Sequence, residues 1–176
     1  MYTELKTERL LLRPVSAADA ESTFAYSGDA ELTRYMIFFP KESIEETRAL
    51  LEQAAKEWKK DEPTYFEFAV MLHDEQIGGV SLWLSDDRSE GELGWLLRRE
   101  YHGKGYAIES VSALKDFAFN TLKLKKLVAQ CDARNFPSEK LMQKLGMRCT
   151  DSTGTRSYVK RTETSRELTY VLESDE

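Results

Sequence analysis

The stretch from Tyr65 to Leu122 constrains this chain most. Tyr65–Leu72, Gln76–Leu84 and Glu92–Leu97 read as three successive strands, separated only by turns around His73–Glu75 and Ser85–Gly91. Connections this short make an antiparallel meander. From Gly103 to Leu122 the period turns helical, with Ala107, Val111, Leu114, Ala118 and Leu122 spaced to face a core. Another strand, Lys126–Cys131, follows directly. A helix joining two strands of one sheet is a crossover, so pairing there is locally parallel.

The flanks complete the pattern. Leu10–Arg13 is a short apolar strand, stopped by Pro14, which has no N–H for a ladder. Ser16 stands at an N-cap position before a short helix through about Ser27. Ser43 with Glu46 has capping-box spacing and opens a helix to about Lys59, with Ile44, Leu51, Ala55 and Trp58 along its apolar stripe. Ser138–Leu145 predicts a short helix stopped by Gly146, and Met147–Val159 with Arg166–Leu172 predicts a closing hairpin. The expected fold is α/β (α+β), with a mixed, mostly antiparallel central sheet of about seven strands and flanking helices. No repeat or linker interrupts residues 1–176, so a single domain is expected, large enough to bury about 70% of its unfolded surface.

Bulk properties exclude several functions. A net charge of −6 argues against nucleic acid as a partner and mildly favours a cationic small molecule or a basic peptide end. Cys131 and Cys149 lack CxxC spacing, suggest neither a disulfide framework nor a zinc site, and read as core thiols. No metal site is expected. Met1–Arg9 is polar, without the apolar region of a signal peptide, and no run approaches the ~20 apolar residues of a membrane helix. A cytoplasmic location away from membranes is the expectation.

The chemistry-bearing segment runs from Leu97 through Tyr101, His102, Gly103, Lys104, Gly105 and Tyr106 to Ala107, after a strand and into a helix. The two glycines let the backbone turn tightly and approach a ligand with no Cβ in the way. Amides of a first helical turn lack intrahelical acceptors, and the helix dipole favours an anion there, so a pyrophosphate fits. Lys104 can add a charge, although a solvated lysine is the plain alternative. A P-loop would need Ser or Thr after Lys104, where Gly105 stands, and a dinucleotide fingerprint would need a third glycine.

Tyr101-His102-Gly103-Lys104-Gly105-Tyr106-Ala107-Ile108-Glu109 resembles the acetyl-CoA-binding motif of the GNAT superfamily of N-acetyltransferases, Gln/Arg-x-x-Gly-x-Gly/Ala. Gly105 and Ala107 match it, while His102 replaces the usual Gln or Arg. Asn135-Phe136-Pro137-Ser138 with Leu145-Gly146-Met147 resembles the Asn-x-x-Ser…Leu-Gly-Phe segment, and Glu92-Leu93-Gly94-Trp95 the strand before the pyrophosphate loop. Thr7-Glu8-Arg9-Leu10 through Pro14 is similar to the start of the branch containing ribosomal-protein N-terminal (alanine) acetyltransferases. The resemblance covers nearly the whole chain and implies a V-shaped splay between the fourth and fifth strands.

It also implies direct attack of an amine on the thioester of acetyl-CoA. The pyrophosphate falls to the amides of Leu97, Gly103, Gly105, Tyr106 and Ala107, with Lys104 and His102 beside them. The thioester carbonyl falls to a backbone amide at Leu96 or its neighbour, a kind of stabilisation worth about 3–4 kcal/mol per donor. Asn135 would hold the pantetheine arm, and Ser138 would donate to the leaving sulfur, the alternative being that Ser138 merely caps its helix. Glu92 is the first candidate base and Glu67 the second, each against a solvated strand-end charge. Strict alternation puts Glu92 on one face with Gly94 and Leu96, a count that a bulge at Gly94 would upset.

Tyr35, Phe38, Trp83 and Trp95, with Phe39, are candidates to line the acceptor pocket, core packing being the alternative for each. His73 carries no assignable chemistry. The preferred acceptor is a peptide or protein N-terminal α-amine, because an α-amine near pKa ~7.7–8.0 is partly neutral at pH 7, unlike a lysine near ~10.4. A polyamine, an antibiotic or another small amine is the enzymatic alternative, and a non-catalytic acyl-CoA sensor the alternative of another class. The branch is compatible with a homodimer.

Overall fold

The computed structural model describes residues 3–174; Met1 and Tyr2 of the polar opening segment lie outside them. Its strands are β1 (Leu5–Lys6), β2 (Leu11–Pro14), β3 (Tyr65–Leu72), β4 (Glu75–Leu84), β5 (Glu90–Leu97), β6 (Lys126–Asp132), β7 (Arg148–Ser157) and β8 (Thr164–Glu173). The helices are α1 (Ala20–Ser27), α2 (Ile44–Glu57), α3 (Tyr106–Asp116) and α4 (Phe136–Lys144). One mixed α/β sheet of eight strands results, in the order β1-β2-β3-β4-β5-β6-β8-β7, antiparallel except for β5 beside β6. The eighth strand, β1, is too short to leave a periodic signal.

Pro14 does not stop its strand short: it is the last residue of β2 and pairs with Phe68. The bond from the Val15 N–H to the Glu67 carbonyl (3.2 Å) turns the even-numbered positions of β2 away from β3. Pro14 therefore faces the outer side, beyond the reach of β1, which pairs only with Leu11 and Leu12. In α2 the buried stripe is Thr47, Leu51, Ala54 and Trp58, with Ala55 displaced from the position the sequence suggested. Ser43 caps α2 through the Glu46 N–H (3.0 Å), but the Glu46 carboxylate accepts from Glu42 instead of closing the box on Ser43. The helix expected over Gly103–Leu122 begins at Tyr106 and finishes as a π-helical turn, Phe117–Thr121. Gly146 ends α4 at φ +83°, with Met147 N–H bonded to the Met142 carbonyl (3.1 Å).

The main core lies between the sheet and α3, where Phe66, Phe68, Val80, Leu82, Val111 and Leu114 are all nearly inaccessible. Trp58 reaches round the edge of β3, meets Phe66 and Phe68 edge-on at 5.1 and 4.9 Å, and donates its Nε1–H to the Glu67 carbonyl (3.1 Å). A smaller cluster of Val15, Ala20, Leu51, Ala54 and Ala69 seats α2 on the other face. Cys131 is buried, and burial pushes its thiol up to about 12, as befits a core thiol. Cys149 corrects the expectation: it is exposed on β7, on a strand that faces solvent along most of its length.

β5 and β6 pair only through Glu90↔Lys126, Gly91↔Leu127 and Glu92↔Val128. Beyond Glu92 the two strands diverge, because β5 stays in register with β4 up to Leu97 while β6 stays in register with β8 up to Asp132. This divergence is the V-shaped splay, and the site is built around it.

Candidate active site

Two backbone hydrogen bonds set the direction of every backbone group along β5. Arg98 N–H donates to the Ile77 carbonyl (2.8 Å), and the Ser89 carbonyl accepts from Lys125 (2.8 Å). Peptide groups alternate sides along a strand. Even-numbered amides, Leu96 included, therefore turn toward β4, while those of Leu93, Trp95 and Leu97 turn into the splay. The candidate carbonyl donor is thus not Leu96 itself but its neighbours Trp95 and Leu97.

The turn after β5 has the left-handed glycines that the sequence suggested. Gly103 and Gly105 have φ of +73° and +82°, a region costly for residues with a Cβ. The first bond of α3 runs from the Glu109 N–H to the Gly105 carbonyl (3.1 Å), so the amides of Tyr106, Ala107 and Ile108 precede it. His102 holds the Leu97 carbonyl through Nε2 (2.9 Å), bracing the turn against the strand end. Lys104 is exposed, its Nζ 5.5 Å from the centre of the Tyr101 ring.

Arg9 and Glu109 belong to this turn although sequence reasoning missed both. Arg9 donates to the Lys104 carbonyl (2.9 Å), pairs with Glu109 (2.7 Å) and lies over the Tyr106 ring at 4.5 Å. Thr7 and the Arg9 N–H bind the same carboxylate, at 2.5 and 2.8 Å. The only sequence signal was the Thr7–Pro14 resemblance, which carried no role for Arg9. The glycine turn, free helical amides and the gap beside Trp95 and Leu97 together fit a pyrophosphate followed by a slender arm. Bound acetyl-CoA would supply the activated acetyl group.

Across the splay, the Asn135 side-chain oxygen caps α4 by accepting from the Ser138 N–H (3.4 Å). Capping therefore falls to Asn135, and the Ser138 hydroxyl, half-buried, has no hydrogen-bond partner among the described residues. Asp132 braces this wall, accepting from the Arg134 N–H (2.8 Å), the Arg134 guanidinium (2.7 Å), Ser165 (2.6 Å) and the Tyr158 hydroxyl. Burial acts to raise the Asp132 carboxyl, but these hydrogen bonds hold it well below the usual carboxylate range. That network was not legible either, since its members come from three separate segments.

The opposite face carries the carboxyls. The β3–β4–β5 register is unbroken around Gly94, so Tyr65–Trp83–Glu92, Glu67–Ser81–Gly94 and Ala69–Gly79–Leu96 form rows across one face. Glu92 stands at the last β5–β6 pair, the closed end of the splay. Burial and the charge of Glu167 push its carboxyl up, against the pull of Arg156. Arg156 itself pairs with Glu167 (2.7 Å) and donates to the Tyr35 carbonyl (3.2 Å). Burial pushes Glu67 up to about 8, with Lys41 opposing.

Of the five aromatic candidates, Trp83 lies on this face, Tyr35, Phe38 and Phe39 belong to the loop before α2, and Trp95 points away. Trp83 is 55% exposed and stacks on Tyr65 at 3.8 Å. Tyr35 lies between the Arg34 and Arg134 guanidinia, and Phe38 is 61% exposed. Their loop is tied to the β7–β8 turn by Val159 N–H to the Ile37 carbonyl (3.0 Å) and Lys160 to the Pro40 carbonyl (2.8 Å). Trp95 is a correction. It pairs with Val80, not Trp83, so its odd position turns it to the other face, against the main core. His73 sits at φ +53° in the β3–β4 turn.

Residues 9–148 match the family model described as the acetyltransferase (GNAT) domain. An uncharacterized N-acetyltransferase, p20 of Bacillus licheniformis, is 32% identical over 142 residues, covering 80% of each chain. The structure of RimL, a ribosomal L7/L12 α-N-protein acetyltransferase in complex with coenzyme A, superposes with a TM-score of 0.86 at 16% identity, covering 98% of this chain and 99% of that one. A spermidine N-acetyltransferase of Vibrio cholerae, with CoA and spermine, gives 0.81 at 18% identity, with coverage of 95% and 96%. At such identities these two structures speak for the fold alone. With the family model spanning most of its length, this chain belongs to the GNAT family and is an N-acetyltransferase.

Proposed function

We propose that the chain moves the acetyl group of acetyl-CoA to the α-amine of a peptide or protein N-terminus. The observation that carries this is the splay beyond Glu92, lined by the Trp95 and Leu97 amides and ending at the glycine turn of α3. The amides of Gly103, Gly105, Tyr106 and Ala107 take the pyrophosphate, with Lys104 and Arg9 supplying positive charge. His102 acts by holding the turn. Asn135 shapes the β6–α4 corner against the pantetheine arm, and the unpartnered Ser138 hydroxyl donates to the departing sulfur. Trp95 and Leu97 amides polarise the thioester carbonyl. Glu92 and Glu67, on the acceptor face, are the carboxyls available to the incoming ammonium.

The α-amine is favoured because it needs little help to lose its proton near pH 7, and because the exposed Trp83 and Phe38 rings offer apolar surface suited to a peptide. The sequence likeness to the spermidine N(1)-acetyltransferase of Escherichia coli, 26% identical over 136 residues, with two carboxyls on the acceptor face, supports a polyamine as the second reading. Thiol release from acetyl-CoA tests both. A peptide with a free N-terminus is compared with its Nα-blocked counterpart carrying an internal lysine, and with spermidine. Release with the free peptide alone supports the proposal, and release with spermidine alone replaces it.

A further inference from the structure

We propose that Glu67 is the group that takes the proton from the acceptor's ammonium, with its carboxyl placed beside the reacting centre by the bare Cα of Gly79. The inference rests on the acetyl-transfer reading above and names the proton acceptor within it.

The placement follows from strand register. Glu67 opposes Ser81, and Gly79 opposes Leu96, on the face that carries Glu92. A Cβ built on Gly79 would lie 3.4 Å from Glu67 Oε1 and 3.2 Å from the Tyr26 hydroxyl. The Glu67 carboxyl thus leans along β3 toward the Ala69–Gly79 row and over β4, to the edge of the open space above the Gly79 Cα. From there the strand bearing Trp95, Leu96 and Leu97 is the next one, about 5 Å away. Glu92 stands at the closed end, three residues back from Trp95 and five from Leu97 along β5, or roughly 10–17 Å in an extended strand. The nearer carboxyl to the Trp95–Leu97 amides is Glu67.

Its backbone is anchored on the other side. The Glu67 carbonyl accepts from the Val15 N–H (3.2 Å) and Trp58 Nε1 (3.1 Å). Its carboxyl, by contrast, has neither an ion pair nor a hydrogen bond among the described residues. The titratable groups facing it are Tyr26 from α1 and Lys41 from the loop before α2, with Glu92 farther along the face. Lys41 Nζ is engaged by the Phe38 carbonyl (2.9 Å) and Glu46 (4.0 Å), so it attracts Glu67 only from a distance. A half-buried carboxyl with space before it and no partner is suited to meet an incoming cation. Burial lifts it to about 8, close to the ~7.7–8.0 of a free α-amine, so proton transfer between them is nearly isoenergetic.

The step balances as follows. The ammonium gives one proton to the Glu67 carboxylate, and the freed lone pair forms the N–C bond to the thioester carbonyl carbon as the C=O π pair moves onto oxygen. That pair then re-forms the C=O bond and the C–S bond breaks with its electron pair on sulfur. The Ser138 hydroxyl gives its proton to that sulfur and takes the surplus proton from nitrogen, and Glu67 returns its own proton to solvent.

The test uses the full chain, Glu67→Gln, Gly79→Ala and Glu92→Gln, with the acceptor selected by the thiol-release panel, from pH 6 to 10. The expected result is a loss of 10²–10³ in kcat/KM for Glu67→Gln at pH 7. That loss should shrink above pH 9, where the amine arrives neutral, while calorimetry finds acetyl-CoA affinity unchanged. Gly79→Ala, which sets a methyl against the Glu67 carboxyl without a charge change, should lower activity by narrowing the acceptor's approach to it. Glu67→Gln matching wild type at pH 7, or Glu92→Gln alone carrying the pH-dependent loss, overturns the assignment. Should wild type bind acetyl-CoA yet acetylate no amine, the acetyl-transfer reading fails. Glu67 is then judged by carboxyl 13C titration with methylammonium added: a lowered midpoint supports cation binding at Glu67, and an unmoved one overturns it.

Discussion

The Arg9 guanidinium and the Glu109 carboxylate meet at 2.7 Å across the mouth of α3, joining the segment before β2 to the first turn of that helix. Arg9 also donates to the Lys104 carbonyl (2.9 Å), between the two positive-φ glycines. Arg9→Ala should weaken acetyl-CoA binding about tenfold, as loss of one charge-assisted contact implies. It should leave thermal stability nearly unchanged, because the Arg9 side chain is exposed and Glu109 keeps its bonds from Thr7 and the residue-9 N–H. Calorimetry beside a melting curve separates the two effects, and a large fall in Tm with intact affinity would make Arg9 a structural brace.

Gly105→Val places a β-branched residue at φ +82°, with its Cβ 3.2 Å from the Arg9 guanidinium. Strain of about 1–3 kcal/mol is expected, and the backbone can no longer approach a pyrophosphate. Acetyl-CoA binding should disappear at concentrations that saturate wild type. Unchanged affinity would remove the glycine turn from the cofactor site.

Ser138 and Asn135 have separable roles. Because Asn135 supplies the cap to the Ser138 N–H, Asn135→Ala should cost about 1 kcal/mol of stability. Ser138→Ala should instead lower kcat tenfold or more while sparing both Tm and acetyl-CoA affinity. Equal losses in kcat, affinity and Tm for Ser138→Ala would count against its role at the sulfur.

Glu67 carries a stability signature independent of activity. Its carboxyl titrates near 8 in the folded chain and near ~4.3 when unfolded. Between these values the native state holds the extra proton, so stability falls as pH rises through this window and levels off above it. Glu67→Gln removes that slope. Its Tm should exceed wild type by a growing margin from pH 5 to pH 8.5, with little difference near pH 4. A constant offset would show that Glu67 titrates normally.

The two tryptophans of the central strands should behave oppositely. Trp83→Ala removes an exposed ring stacked on Tyr65, so the acceptor KM should rise severalfold with a small change in Tm. Trp95→Ala opens the main core and should destabilise by a few kcal/mol, with a smaller effect on acceptor KM. Steady-state kinetics and denaturant melts on both variants decide it.

Much of this protein was legible from local rules. The meander of Tyr65–Leu97, the helix after Gly105, the cap at Ser43 and the stop at Gly146 each depend on periodicity or turn chemistry within a few residues. The glycine turn and the α3 amides were legible for the same reason, since an anion site at a helix start is made by contiguous backbone. What only the tertiary structure decided were relations between segments. Strand parity turned the Trp95 and Leu97 amides into the splay, sent the Trp95 ring to the core, and kept Trp83 and Glu92 together. Long-range packing brought Arg9 to Glu109, Tyr158 and Ser165 to Asp132, and Tyr26 and Glu67 to the two sides of Gly79. A one-residue change of register reverses every side chain of a strand, and the burial that shifts a carboxyl depends on groups distant in sequence. Local sequence therefore determined the elements and the glycine turn, while the paired sheet determined which carboxyls share a face with Leu96.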